Sequence, residues 1–188
     1  MDKPIISYDS FDGGLRQVHR VMGKVPSELE AFGLGIIHTS RRQRGGELDQ
    51  PAEFRRSFDF YCLSHLLEGR GIYRNFETGH CSEISAGDLV MVMPGTRHIY
   101  GGDKSFYLED SICFCGRIAD SLRTLGILAD GVFSCGPVRR IARIIEVALE
   151  PTLFAQLKAA TMLQQLLLEL HAENLELSVG NSSAFSAL

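Results

Sequence analysis

Five consecutive apolar residues, Leu89 to Met93, lie between two turn-forming pairs, Gly87-Asp88 and Pro94-Gly95. A strand that lacks polar alternation is typically buried on both faces. Proline removes a donor from the sheet ladder and glycine permits the turn that follows, so the strand is expected to end at Pro94. The run therefore predicts a short central strand that is covered on both sides.

Other segments with strand-like composition surround this one. They are Phe32 to Ser40, Ser57 to Leu67, Ile72 to Phe76, His80 to Ile84, Ile99 to Tyr100 and Phe106 to Phe114. The glycines of Glu68-Gly69-Arg70-Gly71 suit a tight reversal, which predicts a hairpin there. After Gly116 the apolar spacing becomes helical and stays so to Leu170. Strands followed by helices predict an α+β, mainly β fold, a barrel or sandwich backed by C-terminal helices.

The composition limits the class of protein. A chain of 188 residues suits one domain, and a net charge of -4 gives no basic field of the kind that phosphate-backbone binding requires. Five cysteines without repeated pairs, and no N-terminal secretory pattern, predict reduced thiols in the cytoplasm. Lys158, Gln164, Gln165 and Glu169 interrupt the longest apolar stretch, so no membrane association is expected.

Four stretches together resemble the cupin half of AraC-type bacterial transcription regulators. They are Glu68 to Gly71, Ala86 to Gly101, Ile112 to Gly116 and Met162 to Glu169. The resemblance implies a cupin, jelly-roll-like β-barrel followed by helices, a small effector bound in the barrel, and a homodimer. It also implies DNA binding through a helix-turn-helix domain. The sequence has no such pair of helices, so we expect DNA contact only through a C-terminal domain that is absent from this chain.

The resemblance also divides the chain into parts. Residues 1–50 are expected to form an N-terminal arm and first strand, 51–116 the cupin β-barrel, 117–177 a helical dimerisation segment, and 178–188 a linker or tail. Related regulators dimerise through the last helix. The predicted dimer interface is Leu163, Leu166, Leu167 and Leu170, and the alternative is that these side chains are buried within the chain.

His98 and Tyr100 are the first candidates for effector binding. They lie two residues apart on an extended segment and therefore share a face. In sugar-sensing relatives the matching tyrosine touches the ligand, which implies the same for Tyr100. Turn capping by His98 and core packing by Tyr100 are the alternatives.

The next strand and the segment before Ser57 supply the other candidates. Alternation places Tyr107, Glu109 and Ser111 on one face, as a polar wall that could accept hydrogen bonds from a hydroxylated or cationic ligand. Arg55 and Arg56 precede the long strand, near where sugar-sensing relatives place a ligand-binding arginine. Solvated loop charges are the alternative for these two arginines, and a salt-bridged surface position is the alternative for Glu109. Sugars and organic acids are the expected effector classes. The remaining arginines are interpreted as solvated surface charges: Arg41, Arg42, Arg44, Arg139, Arg140 and Arg143.

Metal-dependent chemistry has little support in the sequence. Metal-binding cupins that resemble this chain place a His-x-His pair and a Glu before the Gly-Asp turn, and a last His after the Pro-Gly turn. Only His98 matches, because Tyr73 to Glu83 offers no more than His80 and Glu83. We therefore expect no metal, no cofactor, no catalytic residue and no enzymatic activity. A stand-alone, metal-dependent cupin isomerase or dioxygenase is the alternative, and a pure dimerisation module with a collapsed barrel is a third possibility.

Overall fold

A computed structural model describes residues 6–12, 15–21, 25–45, 56–102 and 107–185, with side chains for 25–45, 56–102 and 107–176. These described ranges contain ten strands: β1 Ile6–Asp12, β2 Leu15–Val21, β3 Gly35–Gly45, β4 Tyr61–Glu68, β5 Arg70–Asn75, β6 Cys81–Ser85, β7 Asp88–Val92, β8 His98–Gly102, β9 Tyr107–Cys115 and β10 Gly131–Ser134. They also contain four helices: α1 Ser27–Phe32, α2 Arg117–Thr124, α3 Arg140–Ala148 and α4 Leu153–Phe185.

The strands form two antiparallel sheets. The large sheet has the order β1-β2-β3-β9-β4-β7-β10, and the small sheet has the order β6-β5-β8. The two sheets face each other across an apolar interior to which the small sheet contributes Tyr73, Ile84 and Tyr100. The other face of the large sheet packs on the helices. This is the mainly β arrangement with C-terminal helices that the sequence predicts.

Strand β7 is covered on both sides, which confirms its prediction as a central strand. Val90 and Val92 belong to the interior between the sheets. Leu89 and Met91 belong to the second core, between the large sheet and the helices. Because β7 lies between β4 and β10 in the sheet, its backbone is paired on both edges as well.

The reversal at Glu68-Gly69-Arg70-Gly71 is not a hairpin. Strand β4 pairs with β7 and β9 in the large sheet, whereas β5 pairs with β6 and β8 in the small one. Gly69, with φ of 92°, turns the chain from one sheet to the other. Gly71 must be a glycine at this corner, because a Cβ there would lie 1.9 Å from the carbonyl oxygen of Gly101.

The boundaries of the parts also differ from the prediction. Residues 1–50 were predicted as an N-terminal arm and a first strand, whereas their described part forms β1, β2 and β3, of which β3 pairs along β9 in the large sheet. Strand β10, within the segment predicted as helical, adds to the same sheet beside β7. Helix α4 continues to Phe185, so residues 178–185 are helical rather than a linker. Among the described residues no helix combines the length and apolarity that crossing a membrane requires.

Helix α4 packs against the chain with the leucines that were predicted to form a dimer interface. Leu163, Leu166, Leu167 and Leu170 are at most 7% exposed and belong to the core between the large sheet and the helices. Side chains that are already buried in one chain cannot be covered again by a second copy. The interface prediction at these four positions is therefore corrected in favour of burial within the chain.

Candidate ligand-binding site

A buried polar cluster joins the two sheets across the barrel interior. The Tyr100 hydroxyl of β8 lies 2.9 Å from the Ser64 hydroxyl of β4, and it donates to the Glu109 carboxylate of β9 at 2.9 and 3.0 Å. All three residues are at most 6% exposed. Buried polar groups normally satisfy each other in this way, and this group lies between the two sheets of the barrel.

The protonation of Glu109 is set by this burial. Loss of solvent raises the pKa of the Glu109 carboxyl to about 7, against the opposing effects of the Tyr100 hydrogen bond and the Arg56 charge. Burial also raises the pKa of Tyr100 well above its usual range, so its hydroxyl stays protonated. Glu109 can therefore gain or lose a proton near neutral pH, while Tyr100 acts as a fixed donor.

Arg56 lies at the entrance to this cluster. Its backbone forms an isolated antiparallel bridge with His98, with N–H to O distances of 2.9 Å in both directions. Its guanidinium carbon lies 5.0 Å from the centre of the Tyr100 ring, within cation–π range, and its Nη2 donates to the Tyr100 carbonyl at 2.6 Å. Arg56 is exposed and thus connects the buried cluster to solvent. Arg55, the other predicted arginine, lies outside the described residues.

His98 has a buried nitrogen without a partner. The side chain is 0% exposed, and its Nδ1 lies 3.0 Å from the Thr96 carbonyl oxygen. Since that oxygen can only accept, Nδ1 carries the proton and Nε2 is an acceptor, and Nε2 has no hydrogen-bond partner among the residues that the structure describes. Burial lowers the pKa of His98, which keeps the ring neutral. An orphaned acceptor of this kind is uncommon in a folded protein and calls for a donor.

Aromatic rings surround His98. The Phe58 ring packs edge-on against the His98 ring, with 4.9 Å between the ring centres. The centres of the Tyr73 and Tyr100 rings each lie 6.4 Å from that of His98, and the planes of these two rings are closer to parallel with the His98 plane. The Tyr107 ring lies 6.2 Å from Tyr100 and is buried. These rings form the walls of the cluster, while Glu109, Ser64 and His98 supply its hydrogen-bonding groups.

The structure therefore brings five of the predicted residues together: Arg56, His98, Tyr100, Tyr107 and Glu109. Ser111 is buried on the same face of β9, two residues beyond Glu109, and pairs in register with Ser64. Ser64 itself was missed, although Cys62, Ser64 and Leu66 follow the alternation that would have placed it inside the barrel.

Within the described residues no three His, Cys, Asp or Glu side chains lie close enough to hold a metal ion. The two other candidate metal ligands in the sequence, His80 and Glu83, do not lie in the barrel interior. His80 and Glu83 are exposed, and the His80 ring pairs with the Ser82 hydroxyl at 2.7 Å. A metal site built on His98 would thus need ligands other than these two.

On the opposite face of the large sheet, Asp110 forms a second polar contact that the sequence did not predict. Asp110 is 0% exposed and accepts from Nε and Nη2 of Arg139 at 2.9 and 2.8 Å. The interpretation of Arg139 as a solvated charge is therefore wrong. Arg140 is likewise bound, to Glu169 and Glu173 of α4, and Arg41 pairs with Glu146 of α3.

Comparison with known proteins adds structural likeness only. No family model and no curated protein matches the sequence. Among solved structures, the protein YhaK from Escherichia coli is 16% identical, with a TM-score of 0.42 over 54% of this chain and 45% of that one. An RmlC-like cupin from Shewanella frigidimarina is 14% identical, with a TM-score of 0.34 over 59% and 86%. The fold is of the cupin type. The match spans less than half the length of YhaK.

A third structure corrects one expectation. Pac13 from Streptomyces, described as a nucleoside dehydratase, is 17% identical, with a TM-score of 0.33 over 58% of this chain and 76% of that one. Proteins of this fold thus include enzymes. The expectation that this chain has no enzymatic activity is wrong as stated, because the cupin fold does not exclude one.

Proposed function

We propose that this cupin is the effector-sensing and dimerising domain of an AraC-type transcription regulator, which acts on DNA through a helix-turn-helix domain that is not in this chain. The observation that supports sensing is the buried polar cluster of Ser64, Tyr100 and Glu109 beside the unpartnered Nε2 of His98. The assignment to this class of regulator depends on the resemblance of the motifs around Gly87-Asp88, Pro94-Gly95 and His98.

The chemistry of the cluster favours a neutral, hydroxylated effector of the sugar class. Ionised Glu109 and neutral His98 both accept hydrogen bonds, so they select a ligand with several donors. Arg56 can donate in return, whereas the Ser64 hydroxyl already donates to the Tyr100 oxygen. An organic acid is disfavoured, because its carboxylate would face the Glu109 carboxylate in a site of low dielectric constant. Tyr100 and Tyr107 offer ring faces for the apolar side of a sugar.

A path from this cluster to the helices runs along β9. Asp110 follows Glu109 directly and binds Arg139, the residue that precedes α3. α3 in turn packs on α4 and is joined to it through Arg140. An effector can change how the helices are presented only if it binds two arrangements with different affinity. A ligand that moves Glu109 would act on Asp110 through the same strand.

Calorimetric titration of the chain with a panel of neutral sugars, polyols and organic acids tests the sensor. We expect a hydroxylated compound to bind and to be recovered chemically unchanged. Tyr100→Phe and Glu109→Gln should each weaken its binding at least tenfold, because each removes a buried hydrogen bond to the ligand or its partner, worth about 1.5 kcal/mol or more. Glu83→Gln, at an exposed position on β6, is the matched control. Unchanged affinity in both interior variants would refute this site.

The regulator assignment has its own test. Sequencing the gene beyond the codon for Leu188 should show a region that encodes two helix-turn-helix units. The protein that includes this region should bind DNA with an affinity that the effector changes. A gene without a DNA-binding region would contradict this part of the proposal and leave the effector site to be judged by titration.

A second candidate is an enzyme that works by proton transfer, and the observation that favours it is the pKa of Glu109, raised to about 7. A general base or acid is most effective when its pKa is near the working pH. Glu109 would exchange the proton with a bound substrate, and Tyr100 would hold the carboxyl in place. Nuclear magnetic resonance of the titrated compounds distinguishes the two, since an enzyme converts its ligand and Glu109→Gln should abolish the conversion.

A further inference from the structure

A cavity of about 220 Å³ lies on the opposite face of the large sheet from the barrel interior. Its walls come from the bulge in β3, the end of β4, the turn before β7 and the segment that leads into α3. The lining residues are Arg42, His65, Leu66, Leu67, Glu68, Ala86, Gly87, Leu108, Pro137 and Arg139. Ligand pockets for drug-sized molecules are about 300–1,000 Å³, so this cavity suits a smaller metabolite.

His65 provides an unpartnered acceptor in this wall. It is 1% exposed, and its Nε2 lies 3.1 Å from the Gly136 carbonyl oxygen. That oxygen can only accept, so Nε2 carries the proton and Nδ1 is an acceptor, and in the described part of the chain Nδ1 has no hydrogen-bond partner. Burial lowers the pKa of His65 and keeps the ring neutral. A ligand with a hydrogen-bond donor would satisfy this atom.

Arg42 and Arg139 bring positive charge to the same cavity. Arg42 has a φ of 56°, the left-handed conformation that non-glycine residues rarely adopt. The β3 register shifts between Ser40 and Gln43, and the Arg42 N–H donates to Asp110 at 2.9 Å. Strained residues of this kind cluster at functional sites. No hydrogen-bond partner among the described residues is seen for the Arg42 guanidinium.

The charges around the cavity are arranged in two groups. Asp110 neutralises one arginine and accepts from Nε and Nη2 of Arg139, and no described residue is seen to accept from Nη1, which can therefore donate to a ligand. Together with Arg42, this gives the cavity a surplus of donors for a carboxylate. Glu68, at the exposed end of β4, and His65 Nδ1 are acceptors for a cationic group.

We propose that this cavity binds a free α-amino acid. Its carboxylate would be held by Arg42 and Arg139, and its ammonium group would donate to His65 Nδ1 and Glu68. Leu66, Leu67 and Leu108 offer an apolar wall for the side chain. Because Pro137 and Arg139 lead into α3, occupancy of this site acts on the same helix as the interior cluster, but from the other face of the sheet.

Calorimetric titration of the chain with the twenty free amino acids, and with the amides and α-hydroxy analogues of those that bind, tests this site. We expect at least one amino acid to bind more than tenfold more tightly than its amide and its hydroxy analogue. Arg42→Gly should weaken that binding at least tenfold while the protein stays folded, because glycine adopts the left-handed conformation without strain. His65→Leu, which removes the Nδ1 acceptor without supplying another, should also weaken it tenfold.

Two controls separate this site from others. Arg74→Ala removes an exposed arginine on the small sheet and should leave the affinity unchanged. Glu83→Gln, at an exposed position on β6, should also leave it unchanged. The variants Tyr100→Phe and Glu109→Gln are scored on sugar binding alone, so the amino-acid site and the proposed effector site can fail independently. The proposal is overturned if no amino acid binds, if the amide or hydroxy analogue binds equally well, or if Arg42→Gly binds with unchanged affinity.

Discussion

Glu109 and Asp110 are consecutive residues of β9 whose carboxyl groups are buried on opposite faces of the same sheet. Glu109 meets the Tyr100 hydroxyl in the barrel interior, and Asp110 meets the Arg139 guanidinium on the helical side. The first carboxyl has a hydroxyl partner and the second a cation, so they respond differently to pH and to substitution. The two proposed sites are thus joined by one peptide bond.

Glu109→Gln should remove a pH dependence of stability. The pKa of Glu109 is raised from 4.5 to about 7 in the folded chain, so the protonated form is favoured by folding. Its contribution is complete below pH 4.5 and is lost as the pH rises through 7, a loss of up to about 3 kcal/mol in the free energy of unfolding. Urea denaturation between pH 4.5 and 8 should show this decline in the wild type and a weaker one in the variant. The exposed variant Glu83→Gln should decline like the wild type.

The buried histidines should make the folded chain less stable as the pH falls, which is opposite to the effect of Glu109. Burial lowers the pKa values of both His65 and His98 below 6.5 in the folded chain, so the unfolded chain takes up protons first. Their stabilising contribution is present above pH 6.5 and is lost as the pH falls below it. Denaturation series for His65→Gln and His98→Gln should each show a shallower acid decline. His80→Gln, at an exposed position, is the control. Its stability should decline in acid as that of the wild type does, because an exposed histidine takes no part in this effect.

Asp110→Asn should be among the most destabilising conservative changes in the chain. It leaves Arg139 without its bidentate partner and weakens the bond to the Arg42 N–H. Removal of one partner from a buried ion pair costs about 3–5 kcal/mol. Glu146→Gln breaks the largely exposed pair with Arg41 and should cost less than about 1 kcal/mol. Equal losses for the two variants in urea denaturation would contradict the structural role of Asp110.

The sequence predicted those features that depend on neighbours along the chain. The unbroken apolar run of β7 is covered on both faces, and alternation on β9 separates Tyr107 and Glu109 from Asp110 as expected. Local patterns could not predict the turn at Gly69, because a tight reversal can either pair two strands or carry the chain to another sheet. Which of these two outcomes occurs depends on β9, which pairs with β4 but follows it in the sequence by about forty residues.

The same limit explains the missed polar contacts. Arg139 and Asp110 are 29 residues apart in sequence, and neither residue alone predicts the other. On a helical wheel Arg139 is indistinguishable from Arg143, a solvent-facing charge. The predicted interface failed for a related reason. Helix α4 packs against the large sheet and α3 together, so its leucines are covered by two other parts of the chain.

Leu163→Ala and Leu168→Ala distinguish the core of α4 from its surface. Leu163 is 0% exposed, so its truncation leaves a cavity and should cost about 2–5 kcal/mol in the free energy of unfolding. Leu168 is 42% exposed, and its truncation should change stability by less than about 0.5 kcal/mol. The homodimer that we propose would have to use such exposed positions. Sedimentation of Leu168→Ala should therefore show weaker association with unchanged stability. Association that depends on Leu163 in a fully folded variant would contradict the burial of Leu163 within the chain.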